Sequence, residues 1–280
     1  MNSRPSRILK CVAMLAIASG ATLAGADTPS DCLKSAGESA EDICARAVLA
    51  AIDAIRHEPD SIVHRVEKAD AELAKGDVPA AVADYDLALE KSPSNADLLL
   101  FRGRAHERSL DFARAISDLD RGIEVGPPSV SAFLSRGIAH LYVGALPMAR
   151  ADFANAMALD PTYPAAALWM QIARWKAGED SRLQEDSTLD TTAWPGPVIN
   201  LFTGKGSIDE LTKGAAAADP TTQRLQMCEA DFYGGEYLLH HADESRATTW
   251  FKRALGECPR GYSGWVGSHA ELAGLARGSK

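Results

Sequence analysis

Few side chains in this chain of 280 residues could do chemistry, and their spacing decides what each could do. His106 and His140 stand 34 residues apart and could meet as a two-histidine metal site. No Cys, Asp or third His shares that spacing, so the pair reads better as packed rings filling an aromatic slot. His240 and His241 are sequence neighbours and would diverge by about 100 degrees on a helix, which keeps them from converging as ligands. The fragment Thr203-Gly204-Lys205-Gly206-Ser207 has the composition of a phosphate loop, without the G-x-x-x-x-G-K-[ST] spacing or a preceding strand. Asp118, Asp120 and Glu124 offer the carboxylates of a glycosidase pair, but on one helix among polar turns they read as a solvated face. No G-x-S-x-G elbow is present. These residues assign no catalytic site, metal or cofactor, and the expectation is a protein that is not an enzyme.

The elements that carry these residues follow a 34-residue repeat from Ile62 to about Pro161. Pro93, Pro127 and Pro161 keep that spacing, as do Ala81, Ala115 and Ala149. Seven residues after each alanine comes Ala88, Gly122 or Ala156, with Tyr85, Leu119 or Phe153 in between. Small residues recur earlier in each unit at Ala69, Gly103 and Gly137. Small residues seven apart with a bulky one at i+4 lie on one helical stripe, and the proline ends the helix. Each unit is therefore expected to be a helical hairpin whose helices approach closely at the small positions.

This pattern resembles the tetratricopeptide repeat in length and in its A/F/A/P spacing, although the tryptophan and tyrosine of the first helix are absent. The resemblance implies an all-α, right-handed α-solenoid of hairpins, with a concave groove lined by first-helix residues. In the first two repeats those are Val66, Asp70, Leu100, Arg104 and Glu107; further on they are Leu134, Ile138, Leu141 and Trp175. The Lys and Asn positions that clamp a carboxylate terminus in chaperone-binding tetratricopeptide domains are not filled. A groove charged near Arg104 and apolar beyond it suits an extended or helical peptide. The alternative is that short helices between residues 198 and 217 bury several of these apolar side chains.

Outside the repeats, the chain opens with Arg4, Arg7 and Lys10, an apolar run from Cys11 to Leu23, and Ala24-Gly25-Ala26. That is the layout of a secretory signal covering residues 1–26, cleaved near Ala26, with an apolar run too short to span a bilayer. Its removal takes three basic residues and leaves 254 (280 − 26), moving the formal net charge from −9 to −12. An acidic chain is poorly suited to phosphate backbones, so nucleic acid is not an expected partner. No lipidation cysteine follows Leu23-Ala24-Gly25, and no stable membrane insertion is expected. Four cysteines then remain, Cys32, Cys44, Cys228 and Cys258, and four allow three pairings. Placement favours Cys32 with Cys44 and Cys228 with Cys258, because the latter bracket one hairpin in the phase of the repeat.

Residues 27–61 read as a cysteine-tied loop and a capping helix over 41–56, residues 62–163 as three repeats, and residues 164–227 as an irregular helical segment. Residues 228–280 read as a terminal hairpin, carrying Ala247, Phe251, Ala254 and Pro259, and a last capping helix. Trp194, Pro195, Pro197, Val198 and Leu201, then Cys228, Glu229, Phe232, Tyr233, Gly235, Glu236 and Tyr237, then Cys258 and Pro259, resemble periplasmic tetratricopeptide proteins of the NlpI type. That likeness implies an envelope adaptor presenting cell-wall hydrolases to a processing protease, and it admits a homodimer. A different class of function, binding of cell-wall glycan or peptide fragments, would use Trp169, Trp175 and Trp194 as stacking surfaces.

Overall fold

The computed structural model describes Ile52 and residues 61–183, 189–216 and 219–278. The expected signal segment, the expected Cys32 and Cys44 pair and, apart from Ile52, the helix expected over 41–56 lie outside the described residues. Among the described residues the fold is all-α, with twelve helices and no strand. The chain divides into two compact units, Met1–Pro127 and Pro128–Lys280, so the third repeat belongs with the C-terminal segments.

In the first unit, α1 (Ile62–Lys75) pairs with α2 (Val78–Lys91), α3 (Ala96–Arg108) pairs with α4 (Phe112–Val125), and α2 packs on α3. Each start is fixed by a side-chain cap: Ser61, Asp77, Asn95 and Asp111 accept the backbone N–H three residues on. Such a cap satisfies an N–H that the helix itself cannot, contributing about 1 kcal/mol. The turn inside each hairpin needs one residue at positive φ, met by Gly76 at 88° and by Leu110 at 59°. Glycine has no Cβ to clash there, whereas leucine tolerates it at a cost of about 1–2 kcal/mol. A Cβ added to Gly103 would stand 3.0 Å from Leu119 Cγ, so the small position of α3 receives the bulky position of α4. In the hairpin before it, Tyr85 is buried beside Ala69 and also meets Phe101 of α3, ring centroids 6.2 Å apart. The bulky residue thus packs inside its own hairpin as well as toward the next one.

The second unit begins with a regular hairpin, α5 (Val130–Tyr142) and α6 (Leu146–Leu159), followed by α7 (Pro164–Lys176). Two short helices, α8 (Gly196–Phe202) and α9 (Ile208–Ala215), precede α10 (Pro220–His240), α11 (Glu244–Glu257) and α12 (Ser263–Gly278). Ser207 and Glu210 form the reciprocal capping box that their spacing predicts. The core is aromatic. Trp169 is fully enclosed, 4.9 Å from Phe232 and stacked on Phe153 at 6.4 Å.

Cys228 and Cys258 are joined, with Cα atoms 4.7 Å apart. One detail differs from the sequence reading. The phase of the repeat puts Cys228 at the head of its helix, but α10 starts at Pro220, two turns earlier. Cys258 ends α11 beside the interior of α10, because α11 has 14 residues against 21 in α10.

Candidate functional site

Each of the three regular hairpins places a base on its first helix against a buried aspartate on its second. The bases Lys68, Arg102 and Arg136 and the acids Asp84, Asp118 and Asp152 both keep the 34-residue spacing. Lys68 pairs with Asp84, assisted by Arg65 at 3.1 Å. Arg102 grips Asp118 with Nε at 2.8 Å and Nη2 at 2.5 Å, and Arg136 holds Asp152 in the same two-pronged way. The aspartate side chains are 3–6% exposed, while their basic partners keep about a fifth of their surface. Charge-assisted forks of this kind fix the orientation of two helices, and an unpaired carboxylate at this depth would be strongly destabilising.

The two histidines belong to this arrangement. His140 donates from Nδ1 to Asp152 at 2.9 Å, and His106 Nε2 lies 3.8 Å from Asp118. Burial pushes the His106 pKa down, with Asp118 opposing it. Each ring is buried in its own hairpin against an acid twelve residues ahead, a partner at a different phase of the repeat. Asp118 corrects the sequence reading: it is 4% exposed and ion-paired, not part of a solvated face, whereas Asp120 and Glu124 are exposed. The recurring Lys/Arg and Asp positions could have been found from the 34-residue spacing alone.

The residues expected to line a groove fall into two groups. In the first unit Val66, Leu100 and Arg104 are half-buried, and Asp70 and Glu107 are buried. Asp70 accepts a hydrogen bond from the Tyr85 hydroxyl at 2.5 Å. Burial raises its carboxyl to about 6, against the lowering effects of that bond, Arg108 and Arg104. In the second unit Leu134, Ile138 and Leu141 sit in the core. Trp175 meets Phe202 of α8 at 4.4 Å and stacks on His240 of α10 at 4.5 Å. These four present little surface to a ligand, and for Trp175 the covering elements include one of the short helices.

The remaining tryptophans are also engaged. Trp169 has no exposed surface, and the half-buried Trp194 donates from Nε1 to Glu229 at 2.5 Å. Between α8 and α9, residues 203–207 form a turn in which Gly204 has φ 72° and Ser207 is committed to capping α9. An open cavity of about 410 Å³ lies on the second unit, lined by Arg224, Met227, Asp231 and Arg253 among others. Arg253 is paired with Asp231 and lies over Trp250 at 4.7 Å. Among the described residues, no three His, Cys, Asp or Glu side chains converge as metal ligands. No helix among them is long and apolar enough to cross a membrane. The first helices of the first unit present half-exposed apolar and basic surface at Val66, Leu100 and Arg104.

Comparison with known proteins agrees with the hairpin architecture. Residues 40–96, 66–129 and 100–164 match the tetratricopeptide repeat family. The structure is similar to a tetratricopeptide repeat protein from Parabacteroides merdae at 18% identity and a TM-score of 0.53, over 83% of this chain and 78% of the other. It is also similar to TTC0263, a thermophilic tetratricopeptide protein of Thermus thermophilus, at 16% identity and a TM-score of 0.47, over 76% of this chain and all of the other. The 34-residue phase, the glycine-to-bulky packing and the family match coincide on the same residues: the chain contains an array of tetratricopeptide repeats.

Proposed function

We propose that this protein is a non-enzymatic adaptor of the cell envelope that holds a protein or peptide partner on the first-helix face of its repeats. The observation that carries this reading is the repeat array, a fold of protein-interaction scaffolds, with Val66, Leu100 and Arg104 left half-exposed on adjacent first helices. Arg104 supplies a fixed charge beside apolar contacts, the combination that orients a bound segment. The envelope setting is supported by the signal-like residues 1–26 and by the Cys228 and Cys258 bond, since disulfides persist in oxidising compartments. Cell-wall hydrolases and an envelope protease are the partners suggested by the NlpI-type resemblance. No observation favours glycan stacking, because Trp169 and Trp175 are enclosed by other aromatic rings.

The test combines compartment and contact. N-terminal sequencing of material from the periplasmic fraction should begin at or near Asp27, and recovery only in membranes overturns the proposed location. Photocrosslinking from position 100 in envelope extract should trap a discrete partner, and Arg104→Glu should weaken that capture about tenfold or more while helix content is kept. Capture that is indifferent to Arg104→Glu removes this face from the function.

A further inference from the structure

Four helices of the second unit bring one titratable side chain each to a single point. Tyr142 comes from α5, Lys176 from α7, Glu236 from α10 and Glu271 from α12. Lys176 Nζ lies 2.6 Å from Glu271 Oε1 and 3.9 Å from Glu236 Oε2. Both carboxyl groups therefore face one ammonium, which also lies over the Tyr142 ring, 5.9 Å from its centroid. Glu236 is 3% exposed and Glu271 8%, and Glu236 Oε1 is buried with no hydrogen-bond partner. Two carboxylates buried around a single ammonium repel each other, and a proton on one of them removes that repulsion. One ammonium, one carboxylate and one carboxylic acid leave the cluster neutral; without the proton it carries an unbalanced buried negative charge.

The cluster also has a mechanical setting. Gly267, four residues before Glu271, lets α12 lie directly against the rings of Phe232 and Trp169, where a Cβ would collide. Glu271 is therefore a charged residue midway along a helix that covers the aromatic core. Lys176 and Glu236 belong to the helices that carry that core, α7 and α10.

We propose that Lys176, Glu236 and Glu271, beside the Tyr142 ring, form a proton-dependent latch that docks α12 on the second unit and loosens it when the proton on Glu236 leaves. The groups acting on Glu236 from the packed elements are Glu271, Lys176, Tyr142 and, on its own helix, Tyr233. Among the described residues no side chain of α8, α9 or α11 forms an ion pair with it. Burial pushes the Glu236 carboxyl well above the usual glutamate range, the Glu271 charge pushes the same way, and Lys176 opposes both. A carboxyl raised in the folded state binds a proton that the unfolded chain has released. Docking is thus strongest below the ordinary glutamate value of about 4.3, weakens as pH rises toward the raised value, and is constant above it. The latch is independent of what the repeats bind, so failure of the adaptor reading leaves it standing.

Hydrogen exchange of the backbone amides of residues 263–278 in the full mature chain tests this, from about pH 5 to about pH 9 after correction for intrinsic exchange. Protection of α12 should fall by roughly tenfold for each pH unit up to the raised value, relative to the amides of α3 and α4 in the other unit. In Glu236→Gln, which keeps the shape and cannot ionise, the change should be less than about twofold. Protection that does not vary with pH, or that varies equally in the variant, overturns the latch. A second readout, taken on the native protein, is the carbon-13 titration of its glutamate carboxyls. The Glu236 carboxyl, assigned by its loss in Glu236→Gln, titrating well above the ordinary glutamate range supports the proposal, and its titrating within that range overturns it.

Discussion

The hairpin α5/α6 and the terminal hairpin α10/α11 solve the same packing problem with opposite electrostatics. In α5/α6 the first helix sends Arg136 to Asp152 on the second; in α10/α11 the second helix sends Arg253 to Asp231 on the first. The apolar geometry does not change. A Cβ on Gly137 would stand 2.5 Å from Phe153, and one on Gly235 would stand 2.6 Å from Phe251. Gly234 beside it makes room for Trp250, and the disulfide adds a covalent tie. What is constant across the chain is volume, a glycine or alanine facing a bulky residue. The charges are arranged locally. Burial of an aromatic ring is non-directional, whereas an ion pair needs only one acid and one base within reach, on either helix.

If volume is the shared determinant, Phe153→Ala and Phe251→Ala should have the largest effects, and similar ones. Both rings are fully buried, and each removal should destabilise the second unit by about 3–5 kcal/mol in urea denaturation. A loss below about 1 kcal/mol for Phe251→Ala alone would break the equivalence and assign the terminal hairpin to its disulfide instead.

Replacing Cys228 and Cys258 together by serine sharpens the comparison from the other side. Closing the 30-residue separation restrains the unfolded chain, so the double change should lower the stability of the second unit by about 3–4 kcal/mol. Hydrogen exchange of α1 to α4, which belong to the other unit, should be unaltered. Loss of protection there would show that the two units unfold as one.

The repeats were legible because their determinant is periodic. Alanine, aromatic and proline positions 34 apart specify hairpins without knowledge of any neighbour. The buried Asp118 was equally periodic, with Asp84 and Asp152, yet an aspartate between polar residues resembles a solvated one until the arginine sixteen residues before it is considered. The fate of Trp175 was not legible in the same way. Whether a first-helix apolar residue lines a groove or a core depends on what covers it, and here that is Phe202 and His240, neither of which follows the repeat. Periodicity reports the hairpin, and it is silent about an irregular segment folding back. The same reason explains the extra turns of α10 before Cys228: nothing in the repeat marks where a helix outside it begins.

The smallest expected effect tests whether the regular hairpins are interchangeable position by position. The residue before each second helix is Asp77, Asp111, Ala145 or Asp243, and each aspartate accepts the N–H three residues ahead. Ala145 cannot, although its backbone, φ −81° and ψ 58°, nearly matches Asp111 at −83° and 67°. Ala145→Asp should therefore find its rotamer without backbone movement and place a carboxylate at the positive end of the α6 dipole. The gain is limited, because Met148 N already donates to the Ala145 carbonyl at 3.0 Å, so the new bond shares a donor instead of rescuing one. A stabilisation of about 0.5–1 kcal/mol is expected, at the low end for an N-cap, and it should shrink when the carboxylate is protonated below about pH 4. No gain in the urea midpoint at neutral pH would mean that α6 is already satisfied by its tighter first turn, and that the hairpins share packing but not capping.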